Sequence, residues 1–209
     1  MSRHLLVKDH IAFSKTPPLY SRPRIEALTQ NDCDLIAIET IPSVKEAEAV
    51  LQTLRECPNA KAWVSFSCQD GNSFKEPHKR DATKTAFGES WADSIFSLQE
   101  KYGRDQLIGV GVNCTAPSSI RPLLDSFENH PKRKQFPPEV ALVIYPNSGE
   151  SWNPDKGYFF GDNFKPFSEY CKEWLSLKEL RHSKLWLGGC CQVFPSDINH
   201  LHKGVYGSE

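Results

Sequence analysis

The stretch "DLIAIETIPSVKEAEAVLQTLRE", residues 34–56, combines an apolar segment with the helical pattern that follows it directly. The segment 34–40 is apolar without interruption from residue 35 to residue 38, which is typical of a strand covered on both faces. Ser43 and Glu46 stand at the spacing of a capping box, a signature of a helix start. Apolar side chains then recur at helical intervals, at Val44, Ala47, Leu51 and Leu54. The stretch therefore predicts one β/α unit.

The same order of strand and helix recurs along the rest of the chain. Further strands are predicted at residues 60–68, 106–114, 139–150 and 184–191. A polar loop at 69–83 leads into a helix predicted at 87–98, whose first apolar position is Phe87. The helices after the later strands are predicted at 118–127, 164–180 and 196–202, and another helix at 21–30 precedes the first strand. Five apolar strands separated by helices predict an α/β fold with a parallel sheet. Periodicity leaves two forms possible, an open sheet or most of a closed barrel.

Composition excludes several classes of function. The 209 residues are 39% hydrophobic and 24% charged, which suits one ordinary globular domain. The formal net charge of −1 gives no electrostatic case for nucleic acid or for a membrane surface. No apolar run approaches the ~20 residues that span a bilayer. Seven cysteines behind a start that lacks a secretory signal indicate a reducing compartment, so we expect a cytoplasmic protein.

Three cysteines fall at the carboxyl ends of predicted strands. Cys114 ends the third strand, and the adjacent Cys190 and Cys191 end the fifth. Because the carboxyl ends of parallel strands meet at one edge of a sheet, these three thiols can converge. Three thiolates form a zinc site with one position left open, which is the arrangement of catalytic zinc. A soft substrate sulfur suits that open position.

Two other interpretations of these cysteines stay open. Cysteine is among the most frequently buried residue types, so the three side chains could pack in the core. The adjacent pair could instead serve a redox protein, although it lacks the two-residue spacer usual for redox pairs and leaves Cys114 unexplained. Structural roles are expected for the other cysteines, Cys33, Cys57, Cys68 and Cys171. Three tryptophans are expected to be core residues, namely Trp63, Trp91 and Trp174.

Several short motifs resemble the homocysteine S-methyltransferase family. They are, in chain order, "RPRIEAL" (22–28), "DLIAIETIPS" (34–43), "GVGVNC" (109–114), "YPNSGE" (145–150) and "LGGCC" (187–191). The resemblance runs from about Ser21 to about Leu201 and implies a zinc-dependent (β/α)8 TIM barrel that methylates homocysteine to methionine. "YPNSGE" resembles the branch that uses S-methylmethionine or S-adenosylmethionine as methyl donor rather than the betaine-dependent branch.

The resemblance also implies roles for single residues. Cys114, Cys190 and Cys191 match the zinc ligands of the family, and Glu39 matches the acidic residue that holds the amino group of homocysteine. A carboxylate at a strand end can pair with an ammonium group. Weaker substrate-binding candidates are Asn113, which could contact substrate or a neighbouring loop, Asn147, and Tyr145, whose ring could hold a sulfonium cation.

The resemblance covers only part of the family's barrel. About five of its eight β/α units have a counterpart here, so we expect an incomplete TIM barrel. Residues 1–20 are expected to be a divergent N-terminal segment, and residues 21–209 a partial homocysteine-binding domain. The expected partners are homocysteine and a sulfonium methyl donor, with a homo-oligomer or a full-length relative as further partners. The alternative is a catalytically impaired, truncated form that acts as a zinc- or homocysteine-binding or regulatory protein.

Overall fold

The computed structural model describes residues 17–31, 33–69, 81–103, 106–153, 155–161, 165–176 and 184–206. Its strands are, in chain order, β1 (Ile36–Ile41), β2 (Ala62–Phe66), β3 (Leu107–Asn113), β4 (Ala141–Tyr145), β5 (Ser151–Asn153), β6 (Tyr158–Phe160) and β7 (Lys184–Leu187). The strands β1, β2, β3, β4 and β7 lie side by side in that order, and all their pairings are parallel. The predicted parallel sheet of five strands is therefore confirmed.

Each strand of this sheet is followed by a helix. The helices are, in chain order, α1 (Pro17–Thr29), α2 (Val44–Leu54), α3 (Trp91–Tyr102), α4 (Pro117–Glu128), α5 (Phe167–Leu175) and α6 (Pro195–Tyr206). The start of α2 has the predicted cap, because the Ser43 hydroxyl accepts a hydrogen bond from the backbone N–H of Glu46 at 3.3 Å. Within the described residues, no helix has the length and apolar character needed to cross a membrane.

The two faces of the sheet differ in composition. On the face covered by the helices, the strand side chains with no solvent exposure include Val64, Phe66, Val110, Val112 and Leu142. The register of the strands places Trp63, Gly109, Val143 and Trp186 on the opposite face. There the rings of Trp63 and Trp186 meet edge to face, with centroids 6.0 Å apart. Trp63 is half-buried, so the prediction that it is a core residue is wrong.

Several element boundaries also differ from the predictions, among them the start of α3, the end of β4 and the end of β7, which is Leu187. Helix α3 begins at Trp91, because the Ser90 hydroxyl accepts from the N–H of Asp93 and caps the helix there. Phe87 lies in the preceding turn and is 69% exposed, so it does not belong to the helical face. Strand β4 ends at Tyr145 rather than at residue 150, since Pro146 has no N–H to continue the ladder.

Parts of three predicted segments lie outside the described residues. They are residues 1–16 of the predicted N-terminal segment, 70–80 of the polar loop after β2, and 164 and 177–180 of the predicted helix 164–180. The hairpin of β5 and β6 is an additional element that alternation of strands and helices did not predict. It follows the carboxyl end of β4 and leaves the order of the main sheet unchanged.

A close approach between strands makes Gly111 the most demanding position of β3. A Cβ added there would lie 1.7 Å from the carbonyl oxygen of Val143, whereas one added at Gly109 would lie 3.0 Å from its nearest side-chain atoms. We expect Gly111→Ala to lower the free energy of unfolding by about 3 kcal/mol or more, and Gly109→Ala by about 1 kcal/mol. Urea denaturation of the two variants measures both values, and equal losses would contradict this close approach.

Candidate metal centre

The three predicted thiols meet at the carboxyl edge of the sheet. Cys114 follows β3 directly, and Cys190 and Cys191 lie just beyond β7. The Sγ atom of Cys191 is 3.5 Å from that of Cys114 and 3.9 Å from that of Cys190. All three sulfur atoms lie within 4.8 Å of one another. The prediction that these thiols converge is confirmed.

The spacing of the sulfur atoms fits a tetrahedral metal ion. Thiolates that bind zinc at about 2.3 Å in tetrahedral geometry are separated from each other by about 3.8 Å. The two separations at Cys191, 3.5 and 3.9 Å, lie on either side of that value. A donor set of three thiolates favours zinc over hard cations such as magnesium or calcium. The residues present therefore fit the zinc ion that the resemblance implies.

Backbone hydrogen bonds hold the two loops of this cluster together. The N–H of Cys190 donates to the carbonyl oxygen of Pro146 at 2.8 Å. In return, the carbonyl oxygen of Cys191 accepts from the N–H of Ser148 at 3.0 Å. Pro146 and Ser148, in the segment after β4, are thus hydrogen-bonded to the two adjacent cysteines. This pairing continues the contact between β4 and β7 beyond the end of the sheet and positions the thiols.

Backbone strain is concentrated at the same edge. Among the described residues, the non-glycine residues with positive φ are Thr40 at 60°, Cys114 at 48° and Gln192 at 60°. Each lies at the carboxyl end of a sheet strand or in the loop that follows it. Such conformations cost roughly 1–3 kcal/mol each and persist where the surrounding contacts impose them. The sequence has no signal for them, because none of the three is glycine.

The thiols of the cluster alter each other's ionisation. Hydrogen bonding from Cys114 lowers the pKa of Cys190 to about 6, and the same contact raises the pKa of Cys114. Burial, followed by the nearby charge of Cys190, raises the pKa of Cys191. One thiolate is therefore stabilised at neutral pH by its neighbours. By contrast, burial raises the pKa of Cys68, and it raises that of Cys171 to about 12, which agrees with the structural roles expected for both.

A second group of polar side chains surrounds the hydroxyl of Tyr145. This hydroxyl donates to Oε2 of Glu39 at 3.0 Å and accepts from Nε1–H of Trp63 at 3.1 Å. The Ser65 hydroxyl lies 2.5 Å away. Burial raises the pKa of Tyr145, so its hydroxyl stays protonated and available as a donor. The structure thus brings together Glu39 and Tyr145, two residues that sequence reasoning selected for substrate binding.

Asn113 connects the two groups. Its side chain is fully buried, and its Oδ1 atom accepts from the N–H of Thr40 at 2.8 Å and from the Ser65 hydroxyl at 2.9 Å. Its Nδ2 atom donates to Oγ1 of Thr40 at 2.8 Å, and the side chain also forms a hydrogen bond with Cys190. Sequence reasoning missed Thr40 and Ser65. A serine inside the apolar strand "AWVSF" is a signal for Ser65, but Thr40 has none.

Comparison with known proteins gives the family. A family model described as homocysteine S-methyltransferase matches residues 10–205. The betaine-homocysteine S-methyltransferase of Drosophila melanogaster is 33% identical over 193 residues, which are 90% of this chain and 52% of the relative. The homocysteine S-methyltransferase of Escherichia coli is 30% identical over 184 residues, which are 87% of this chain and 51% of the relative. The chain spans about half the length of the curated relatives it matches.

Solved structures agree with the family match. The apo form of the homocysteine methyltransferase MmuM from Escherichia coli superposes with a TM-score of 0.64 at 27% identity, covering 91% of this chain and 57% of that chain. Its metallated form superposes with a TM-score of 0.61 at 26% identity, covering 89% of this chain and 51% of that chain. The five parallel strands and their helices match part of that TIM barrel, as predicted. The chain belongs to the homocysteine S-methyltransferase family.

Proposed function

We propose that the protein transfers a methyl group from S-methylmethionine or S-adenosylmethionine to homocysteine, giving methionine. The observation that carries this proposal is the cluster of three thiols within 4.8 Å, in a chain of the homocysteine S-methyltransferase family. Cys114, Cys190 and Cys191 would hold a zinc ion. This cluster gives a role to all three cysteines, whereas a redox pair of Cys190 and Cys191 leaves Cys114 without one.

The three thiolates suit the chemistry that the reaction needs. A zinc ion with three protein ligands keeps one position open, and a bound zinc ion favours the thiolate form of an incoming thiol at neutral pH. Hydrogen bonding from Cys114 keeps Cys190 ionised at neutral pH, since the pKa of Cys190 is lowered to about 6. The protein thus provides a thiolate before the metal binds, which favours capture of the ion.

Glu39 and Tyr145 would bind the amino-acid part of the substrate. The carboxylate of Glu39 is exposed at the end of β1, and the Tyr145 hydroxyl donates to it at 3.0 Å. A carboxylate held in this way can pair with the ammonium group of homocysteine. The ring of Tyr145 offers a face on which the sulfonium group of a methyl donor can lie.

The transfer itself is a displacement at the methyl carbon. The homocysteine sulfur, having lost its proton, forms a bond to the methyl carbon while the bond from that carbon to the sulfonium sulfur breaks. The electron pair of the broken bond stays on the departing sulfur, which becomes a neutral thioether. Because the two sulfur atoms must align with the methyl carbon between them, much of the rate comes from holding both molecules in position.

A second candidate is a zinc- and homocysteine-binding protein without turnover. The observation that favours it is the pair of open edges in the main sheet. Within the described residues, β1 and β7 each pair with one strand of the main sheet, so each presents an edge. Those edges would pair with a full-length relative, which the chain would then regulate, or with a second copy of this chain.

The thiol state of the chain bears on its location. All seven cysteines are free thiols in the structure. Free thiols persist in reducing compartments, whereas secreted proteins of this size often contain disulfides. We include in the proposal the cytoplasmic location expected from the cysteine content.

Zinc stoichiometry of the purified 209-residue chain, followed by an assay for methionine, tests the proposed function. We expect about one zinc per chain, loss of that zinc in a Cys190→Ser/Cys191→Ser variant, and methionine formed from homocysteine and a sulfonium donor. Zinc and homocysteine binding without methionine would support the second candidate. Full methyl transfer by metal-free protein would overturn the zinc mechanism.

A further inference from the structure

Thr40 interrupts the regular alternation of β1. The pairing of β1 with β2 shifts register between Ile38 and Ile41, so that Glu39 and Thr40 together form a bulge. Thr40 adopts a φ of 60°, which is rare for a β-branched residue. Bulges re-aim the side chains next to them. Here the bulge leaves both Glu39 and Thr40 exposed on the same side, between the buried Ile38 and Ile41.

The side chain of Asn113 holds both polar groups of Thr40. Its Oδ1 atom accepts from the backbone N–H of Thr40, and its Nδ2 atom donates to the Thr40 hydroxyl, each at 2.8 Å. The amide of asparagine carries an acceptor and a donor on one planar group, and this two-point contact uses both. The Asn113 end of these bonds is fully buried, whereas Thr40 lies at the surface. We call this pair of contacts the Thr40–Asn113 latch.

A second series of polar contacts also connects Asn113 with Glu39, through Ser65 and Tyr145. The Ser65 hydroxyl donates to Oδ1 of Asn113 and lies 2.5 Å from the hydroxyl of Tyr145, which in turn donates to Glu39. Glu39 is thus supported on its backbone side through Thr40 and on its carboxylate side through Tyr145. Asn113 is also followed directly by Cys114, so the support of the carboxylate and the thiol cluster begin at adjacent residues.

We propose that Thr40 and Asn113 are positioning residues, which hold the bulge of β1 so that the Glu39 carboxylate meets the ammonium group of the thiol substrate. This inference rests on the proposed function, which supplies a substrate with an ammonium group. Asn113 acts through Thr40 rather than by contact with the substrate, since its side chain is buried and its polar atoms bond to protein groups. Loss of the Thr40 hydroxyl would therefore weaken recognition of the ammonium group and leave recognition of the sulfur unchanged.

Two thiols and one isosteric substitution test the proposal. The ligands are homocysteine and 4-mercaptobutanoate, which has the same carbon chain and thiol but no amino group. Calorimetry measures the dissociation constant of each ligand for the zinc-loaded 209-residue chain. Thr40→Val keeps the β-branched shape and removes the hydroxyl, whereas Thr40→Ser keeps the hydroxyl. We expect Thr40→Val to weaken homocysteine binding by about fivefold to tenfold and to leave the affinity for 4-mercaptobutanoate unchanged. Thr40→Ser is expected to bind both ligands with the affinity of the parent.

A double-mutant cycle shows whether the latch acts through Glu39. If it does, Thr40→Val has no further effect on homocysteine binding once Glu39→Gln is present, because the two changes remove the same interaction. Thr40→Gly is a second variant without the hydroxyl, for use if the valine variant does not fold, because glycine adopts a φ of 60° without strain.

The outcomes separate the latch from the proposed function. If Thr40→Val weakens the binding of both ligands equally, or does not weaken homocysteine binding, the role of the latch is overturned. A selective loss of homocysteine affinity in Glu39→Gln would still leave the proposed function intact. If the parent chain binds both thiols equally and Glu39→Gln changes neither, the ammonium site itself is absent. That result overturns the latch together with the role of Glu39.

Discussion

Cys114→Ser is expected to yield a folded protein that no longer retains zinc and forms no methionine. The Sγ atom of Cys114 lies 3.5 Å from that of Cys191, so the substitution removes one of three sulfur donors and leaves a hydroxyl that binds zinc poorly. Loss of a hydrogen-bond partner of a metal ligand lowers metal affinity by about 10- to 100-fold. We therefore expect loss of a ligand itself to lower zinc affinity by more than about 100-fold. Competition with a chromogenic chelator measures this affinity.

Cys33→Ser is the matched control for this substitution. Cys33 is also a half-buried free thiol, but it precedes β1 and its Sγ–H donates to the carbonyl oxygen of Leu35. The control is expected to retain zinc and activity at the parent level. If Cys114→Ser retained zinc with the affinity of Cys33→Ser, the three-thiol centre would be refuted. Circular dichroism of both variants separates loss of the metal from loss of the fold.

Glu39→Gln is expected to weaken homocysteine binding by about 10- to 100-fold, because charge-assisted hydrogen bonds contribute more than neutral ones. Zinc stoichiometry is expected to stay unchanged, since Glu39 is not one of the three clustered thiols. Stability is expected to stay near that of the parent, because Glu39 is exposed and glutamine can still accept a hydrogen bond from Tyr145. Calorimetric titration with homocysteine measures the affinity.

Glu139→Gln removes the same charge at the opposite end of the sheet. Glu139 is exposed and precedes β4, whereas the proposed site lies beyond the carboxyl ends of the strands. We expect its homocysteine affinity to equal that of the parent. An equal loss in both variants would show a general effect of net charge, and an unchanged affinity in Glu39→Gln would remove this residue from the binding site.

The repeating units and the thiol cluster could be predicted because each depends on local patterns and one rule of topology. Residues 34–56 contain their own strand, cap and amphipathic helix, and the structure has β1, the Ser43 cap and α2 in those places. Parallel strands bring their carboxyl ends to one edge, which places Cys114 beside the adjacent cysteines. Boundaries were less predictable, since the cap at Ser90 excludes Phe87 from α3 although its apolar side chain continues the helical pattern.

The sequence by itself determined the α/β class, the five strands and the identity of the three thiols, because apolar periodicity and chain order encode them. Only the tertiary structure decided how Glu39 is held. Tyr145 contacts it across 106 residues of chain, and Asn113 contacts Thr40 across 73. These contacts depend on the register of neighbouring strands and on one bulge, and neither leaves a periodic mark in the sequence. Register is set by packing of the whole sheet, so the support of the carboxylate appears only when the strands are assembled.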